Sequence, residues 1–220
     1  MCGILGIIQK KNNFNKDSFK KLLDCLTHRG PDDTGIWESE KHNTLLGHKR
    51  LSVLDLSIKG HQPMTSNNGR YIIVFNGEIY NHRELRNQIS IQNSLEWKST
   101  SDTETLINSI ETYGLKKTLC KITGMFGFAV FDKHKNKLYL ARDRFGEKPL
   151  YYGFIGNNEN HSFFFSSELK PLKKINYFKN KINSVALKNF LQLCYIPSPL
   201  SIYENIFKVK PGHYLEIDIK

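Results

Sequence analysis

The chain has 220 residues, of which 39% are hydrophobic and 24% charged, a balance that buries a core and excludes a disordered tail. Its 32 basic against 21 acidic residues give a net charge of +11, yet the basic residues are scattered and mostly lysine, so no specific nucleic-acid partner is expected. No apolar run approaches the roughly 20 residues of a membrane span and no basic segment precedes the apolar start, as it would in a signal peptide, so no membrane is expected and the location reads as cytoplasmic.

The amino end, Met1-Cys2-Gly3-Ile4-Leu5-Gly6-Ile7-Ile8, is an apolar run fit for a buried strand. Met1 stands before a small residue, so its removal is expected, leaving Cys2 first. Lys16 to Leu26 predicts an amphipathic helix with Phe19, Leu22, Leu23 and Leu26 on one stripe, ended by Gly30-Pro31. Strand-like pieces follow at 35–38, 44–48 and 51–55, and 57–68 reads as loop. Tyr71 to Phe75 has the composition of a strand covered on both faces, and Asn76-Gly77 supplies a turn pair. A helix is expected over 82–91. Ser101-Asp102-Thr103-Glu104 has capping-box spacing and opens another, stopped at Gly114.

Four strands are expected at 125–132, 138–142, 150–154 and 161–166. Turns at 132–137 and 156–160 favour antiparallel pairing. A last helix spans 184–194, and the Pro-rich tail from Ile196 ends in an alternating piece, 213–219. This order predicts an α+β protein with two mostly antiparallel sheets between helices. Of the four cysteines, Cys25, Cys120 and Cys194 sit in apolar helical patterns and read as buried thiols. No spacing suits a metal or disulfide framework, so only Cys2 stands out.

A cysteine freed at the amino terminus carries a thiol nucleophile and, on the same residue, an amine whose ordinary pKa of about 7.7–8.0 lets it relay protons. Asn76 and Gly77 stand at the end of a buried strand, where a side-chain amide and a backbone N–H can converge on an oxyanion. Arg50 can grip a carboxylate through two parallel hydrogen bonds, and Glu78 with Asp102 can hold a cationic amine. Together they describe a site for a zwitterionic amino acid with a side-chain amide or ester. Each also has a plainer reading: Cys2 as a small residue on an edge strand, Asn76-Gly77 as a hairpin turn, Asp102 as part of a helix start, Arg50 and Glu78 as surface charges.

Several pieces occur together in one order: Cys2-Gly3-Ile4, His28-Arg29-Gly30-Pro31-Asp32, Gly47-His48 with Arg50-Leu51-Ser52, Gln62-Pro63-Met64, Asn76-Gly77-Glu78-Ile79-Tyr80-Asn81 and Ser101-Asp102-Thr103-Glu104. Gly124-Met125-Phe126, Ala141-Arg142-Asp143-Arg144, Lys148-Pro149-Leu150-Tyr151-Tyr152 and Ser166-Ser167-Glu168 continue it. The chain resembles, over essentially all its length, the glutaminase domain of glutamine-hydrolysing asparagine synthetases, class II amidotransferases of the N-terminal-nucleophile hydrolase type.

That resemblance implies a four-layer α-β-β-α sandwich that hydrolyses L-glutamine. Cys2 is the implied nucleophile, and Asn76 with Gly77 the oxyanion hole. Arg50 binds the α-carboxylate, Glu78 and Asp102 the α-ammonium, and the backbone of Leu51, Ser52, Val53 and Leu54 lines the pocket. Arg29, Arg142 and Ser167 take no catalytic role.

The resemblance also implies domain limits of 1–195 for the glutaminase and 196–220 for a segment leading to an ATP-dependent synthetase domain. That domain's Ser-Gly-Gly-type pyrophosphate loop is not in this chain. The chain therefore reads as a fragment with no cofactor of its own, ATP and magnesium belonging to the synthetase domain, and a homodimer is left open. The expected product is ammonia for asparagine synthesis. Amidation of a sugar uronic acid, or a non-catalytic regulatory module of the same fold, are the alternatives.

Overall fold

The computed structural model describes residues 1–9, 14–39, 41, 43–92, 95–156, 161–179 and 181–219. Side-chain parity along the central strands builds its layers. In β1 (Gly3–Ile8), Leu5 and Ile7 face one core and Ile4 another; in β5 (Tyr71–Ile79), Tyr71, Ile73 and Phe75 face outward while Ile72 and Val74 face inward; β6 (Gly124–Asp132) divides Phe126, Phe128 and Val130 from Ala129 and Phe131 in the same way. Strands buried on both faces need apolar residues at every position, hence the continuous runs in the sequence.

The shared inward face is the inter-sheet layer. One sheet has the order β10-β8-β9-β1-β3-β2 and the other β11-β7-β6-β5-β4, all pairs antiparallel. The remaining strands are β2 (Asp33–Ser39), β3 (Thr44–Arg50), β4 (Met64–Thr65), β7 (Lys137–Arg142), β8 (Tyr151–Ile155), β9 (Ser162–Ser166), β10 (Ile206–Lys208) and β11 (Tyr214–Asp218). Helix α1 (Lys16–Leu23) covers the first sheet with Phe19, Leu22 and Leu23. Helices α2 (His82–Gln92), α3 (Asp102–Tyr113) and α4 (Leu115–Lys121) cover the second through Leu85, Leu106, Ile107 and Ile110, with Leu115 and Leu119 at its margin. The result is the expected four-layer α-β-β-α sandwich. Among the described residues no helix is long and apolar enough to cross a membrane.

Several local expectations give way to tertiary pairing. The first helix ends at Leu23 and tightens into a 3₁₀ turn over Asp24–Arg29, which keeps Leu26 and Arg29 buried. Asn76-Gly77 is not a turn: β5 runs on to Ile79 because β6 offers a nine-residue partner, with Asn76 opposite Gly127 and Gly77 opposite Phe126. A Cβ on Gly77 would strike the Met125 carbonyl oxygen, so glycine serves close strand approach there.

Residues 51–55 form no strand; β3 ends at Arg50 and Val53 lies 68% exposed on a loop. The stretch 57–68 contains a 3₁₀ turn at Ile58–Gly60 and the short β4. Cys25 is half-buried and Cys120 and Cys194 are exposed, so none is the buried thiol expected. Cys194 caps α5 (Ser184–Leu193) in a left-handed conformation, and that helix buries only Ala186. Of the expected turn at 156–160, residues 157–160 lie outside the described residues. The tail contributes β10 to one sheet and β11 to the other.

His48 ties the two sheets together. Its ring is fully buried on β3, and Nε2–H donates to the Phe75 carbonyl of β5 at 3.0 Å, while Nδ1 has no partner among the described residues. A carbonyl only accepts, so the proton sits on Nε2. Burial, only partly offset by the Phe75 carbonyl, pushes the imidazole down to about 4. The unfolded chain therefore takes up this proton first as pH falls. Stability is complete above the ordinary histidine pKa and lost on descending toward pH 4. Denaturant titrations are expected to show a loss of about 3 kcal/mol between pH 7 and 4 that is absent from His48→Gln; equal acid sensitivity in the two proteins would contradict it.

Candidate active site

Cys2 lies at the mouth of the inter-sheet layer because it shares the parity of Ile4. Its backbone is fixed from two sides. Arg29 Nε–H donates to the Cys2 carbonyl at 2.9 Å, and Arg29 Nη1 pairs with Glu168 at 3.0 Å. Two residues further on, Ile4 N–H donates to Ser167 Oγ at 3.1 Å, and Ser167 N–H returns to the Ile4 carbonyl at 3.0 Å. The motif residues Arg29, Ser167 and Glu168 thus hold the start of β1 in place. The thiol receives Leu51 N–H at 3.4 Å. Burial raises its pKa, opposed by that N–H, by the positive amino terminus of Met1 and by Arg50.

Facing the thiol is the open edge of β5. Strand β4 pairs only with Ile72 and Ile73, so the next outward-pointing N–H groups of β5 need other partners. Phe75 N–H finds Gln62 Oε1 at 2.7 Å and Ile79 N–H finds Asp102 Oδ2 at 2.9 Å. Backbone direction alternates along a strand, so Gly77 N–H points to the same side between them. Next to it the Asn76 side chain has the inward parity of Ile72 and Val74. It is 1% exposed, and its Nδ2 donor is buried without a partner among the described residues. An orphaned amide at that depth costs free energy unless something fills the space before it.

A cavity of about 260 Å³ does lie before it, lined by Cys2, Arg50, Leu51, Val53, Leu54, Asn76, Gly77, Glu78 and Asp102. Of the residues expected there, Ser52 alone does not line it; its N–H is turned to Asp32 at 2.7 Å. Arg50 is no surface charge, being 7% exposed. Its guanidinium donates to the Ser57 carbonyl at 2.8 Å and to the Asp55 carbonyl. Gly60 leaves room for it, since a Cβ there would overlap Nη2.

Asp102 is pushed up to about 6 by burial and, secondarily, by nearby Glu78, against the hydrogen bonds from Ile79 and Thr103. Asp55, Gln62 and the buried Lys148 also line the cavity. Gln62 and Lys148 fall within the sequence motifs noted above, Asp55 within none of them. Among the described residues no group of three or more His, Cys, Asp or Glu side chains is arranged to hold a metal ion.

A thiol, an amide donor, a guanidinium and two carboxylates around one small cavity can bind an amino-acid head group and bring a carbonyl to sulfur. Residues 1–220 match the family model described as the glutamine amidotransferase domain. The chain belongs to that family.

This glutamine amidotransferase domain is 40% identical to the putative asparagine synthetase [glutamine-hydrolyzing] 2 of Methanocaldococcus jannaschii, matching over 100% of the chain and 44% of that protein. It is 35% identical to asparagine synthetase [glutamine-hydrolyzing] 3 of Bacillus subtilis, over 98% of the chain and 34% of that protein. The domain therefore spans less than half the length of these curated relatives. Among solved structures, the allosteric regulatory enzyme of purine biosynthesis superposes with a TM-score of 0.73 at 21% identity, over 99% of this chain and 47% of that one. Glutamine phosphoribosylpyrophosphate amidotransferase of B. subtilis does so at 0.72 and 20%, with the same coverage. At such identities the likeness is one of fold.

Proposed function

We propose that the domain hydrolyses L-glutamine to glutamate and ammonia, with Cys2 as nucleophile after Met1 is removed. The observation that carries this reading is the buried Asn76 Nδ2 donor, without a partner among the described residues, at a cavity that Asn76 and Gly77 share with the thiol. The α-amine of Cys2 takes the thiol proton as sulfur attacks the side-chain amide carbon. The carbonyl oxygen gains negative charge and is held by Asn76 Nδ2–H and Gly77 N–H. The resulting ammonium returns its proton to the leaving nitrogen, ammonia departs and a thioester remains. Water, deprotonated by the same amine, attacks the thioester; glutamate leaves and the thiol re-forms. Arg50 holds the α-carboxylate, Asp102 with Glu78 the α-ammonium, and the backbone of Leu51, Val53 and Leu54 walls the pocket.

The names of the longer relatives support asparagine as the end product, with the ammonia passing to an ATP- and magnesium-dependent part that activates aspartate. On this reading residues 1–195 are the glutaminase, and 196–220, which supply β10 and β11 to its two sheets, lead toward that part. Two measurements test the core of the proposal. The purified protein should lack the mass of Met1 and release glutamate from glutamine; a protein that keeps Met1, or whose thiol ignores glutamine-like alkylators, would overturn it.

Asp102 adds a pH dependence. Its folded pKa of about 6 means the empty site is protonated in mild acid and cannot then pair with an ammonium. Glutamine binding to Cys2→Ala protein is expected to be constant above pH 7 and about tenfold weaker at pH 5, one pH unit below the Asp102 pKa. Calorimetric titration across that range measures it, and a flat profile would remove Asp102 from the ammonium site.

A further inference from the structure

We propose that Asp55 is a positioning residue that sets Arg50 and Asp102 at the separation of an amino acid's carboxylate and ammonium; the inference rests on the amidotransferase reading of the site. One buried carboxylate touches both walls. Its Oδ1 accepts from Ser57 N–H at 2.8 Å and Ser57 Oγ–H at 2.6 Å, and its Oδ2 accepts from Thr100 N–H at 2.9 Å and Thr100 Oγ–H at 3.1 Å. On the first wall, the backbone carbonyls of Asp55 and Ser57 themselves orient the Arg50 guanidinium. On the second, Thr100 directly precedes Ser101, whose Oγ accepts Glu104 N–H at 3.2 Å and caps the helix that carries Asp102 in its first turn.

The 51–60 loop is tied down by polar contacts, those of Asp55 joining the bonds that Arg50, Asp32 and Cys2 make to it. Val53, Leu56 and Ile58 are 68%, 80% and 84% exposed, so apolar burial does not hold it. All four donors are neutral, and only an ionised carboxylate accepts four bonds on two oxygens without presenting a donor of its own. Burial opposes that charge, but the four bonds outweigh it and hold Asp55 down to about 2. Arg50 meets Asp55 through the backbone carbonyl, not through the carboxylate. The guanidinium is thus aimed by carbonyls and keeps its charge for a ligand carboxylate. Asparagine at 55 would turn an NH₂ group toward either Ser57 or Thr100 and break one of the two ties.

The test compares two alkylators of Cys2 on the full chain: 6-diazo-5-oxo-L-norleucine, which carries glutamine's head group, and iodoacetamide, which does not. In Asp55→Asn the half-saturating diazo ketone concentration is expected to rise about tenfold, the equivalent of roughly one charge-assisted hydrogen bond, with the limiting labelling rate and the iodoacetamide rate unchanged. Combining it with Arg50→Lys should cost less than the product of the single effects.

An unchanged half-saturating concentration, or a parallel loss of iodoacetamide reactivity, overturns the proposal. If Asp55→Asn does not fold, Thr100→Val, which removes one of the four bonds, is expected to give a smaller rise of the same kind, and no rise there overturns it equally. Wild-type protein that shows no saturable labelling by the diazo ketone defeats the amidotransferase reading itself, which separates that failure from a failure of Asp55 alone.

Discussion

Cys2→Ala is expected to lose glutamine hydrolysis by about 10⁴- to 10⁶-fold, down to background, because a nucleophile that forms a covalent intermediate has no substitute. Glutamine binding should survive, since the proposed head-group contacts come from Arg50, Glu78 and Asp102. The physical case lies in how the thiol is placed. Arg29 fixes the Cys2 carbonyl and Leu51 N–H addresses the sulfur, so the chain end is held where an amine on the same residue can reach the thiol proton.

Burial raises the thiol pKa. With Met1 attached the thiolate is therefore scarce, and the proposed mechanism assigns the proton to a base during attack. Cys2→Ser should fall almost as far as alanine, because a hydroxyl is harder still to deprotonate. Glutamate release by a coupled assay, beside glutamine titration, measures both halves. Hydrolysis by Cys2→Ala at the wild-type rate would sink the covalent mechanism.

The parts of this site that could be read in the sequence are those whose reason is local. An apolar run that fills both faces of a central strand announces β1 and β5 whatever they pair with. Cys2 after Met1 is conspicuous by position, and Ser101 declares its helix by the capping spacing realised in the Ser101 Oγ bond to Glu104. What could not be read depends on distant partners. Asn76-Gly77 has the composition of a turn, and only the register against β6 makes it a strand. Residues 51–55 look like a strand by hydrophobicity, yet Val53 and Leu54 lie exposed on a loop whose last residue, the buried Asp55, ties it to Thr100.

Asp55 was invisible as a site residue for the same reason: it bonds to a backbone group 45 positions away, and composition carries no trace of that. Gln62 stood out by its motif, but its bond to a backbone group 13 positions away did not. The thiols misled in the opposite direction. Cys120 and Cys194 sit among apolar residues in sequence, but α5 buries only Ala186, so helical periodicity there says nothing about which face is covered.

Asn76→Ala is expected to lower kcat for hydrolysis by about 10²–10³ while KM changes little, the signature of a donor used only when charge develops on the carbonyl oxygen. The ground-state amide can tolerate imperfect contact with Nδ2; the tetrahedral oxyanion cannot. This donor is pre-set at no cost during the reaction. The strand is paired along nine residues with β6, the side chain is 1% exposed, and no acceptor among the described residues competes for Nδ2. Gly77 N–H supplies the second contact, fixed by alternation between Phe75 and Ile79.

Removing Asn76 leaves that backbone donor in place, so the loss should stop short of the Cys2→Ala floor. Asn76→Asp should do worse than alanine, because a carboxylate there would set like charge against the oxyanion. Single-turnover and steady-state kinetics on the three proteins separate these outcomes. A kcat for Asn76→Ala within a few-fold of wild type would mean the free amide donor serves some other end, and the oxyanion would have to be stabilised by Gly77 and groups beyond this pair.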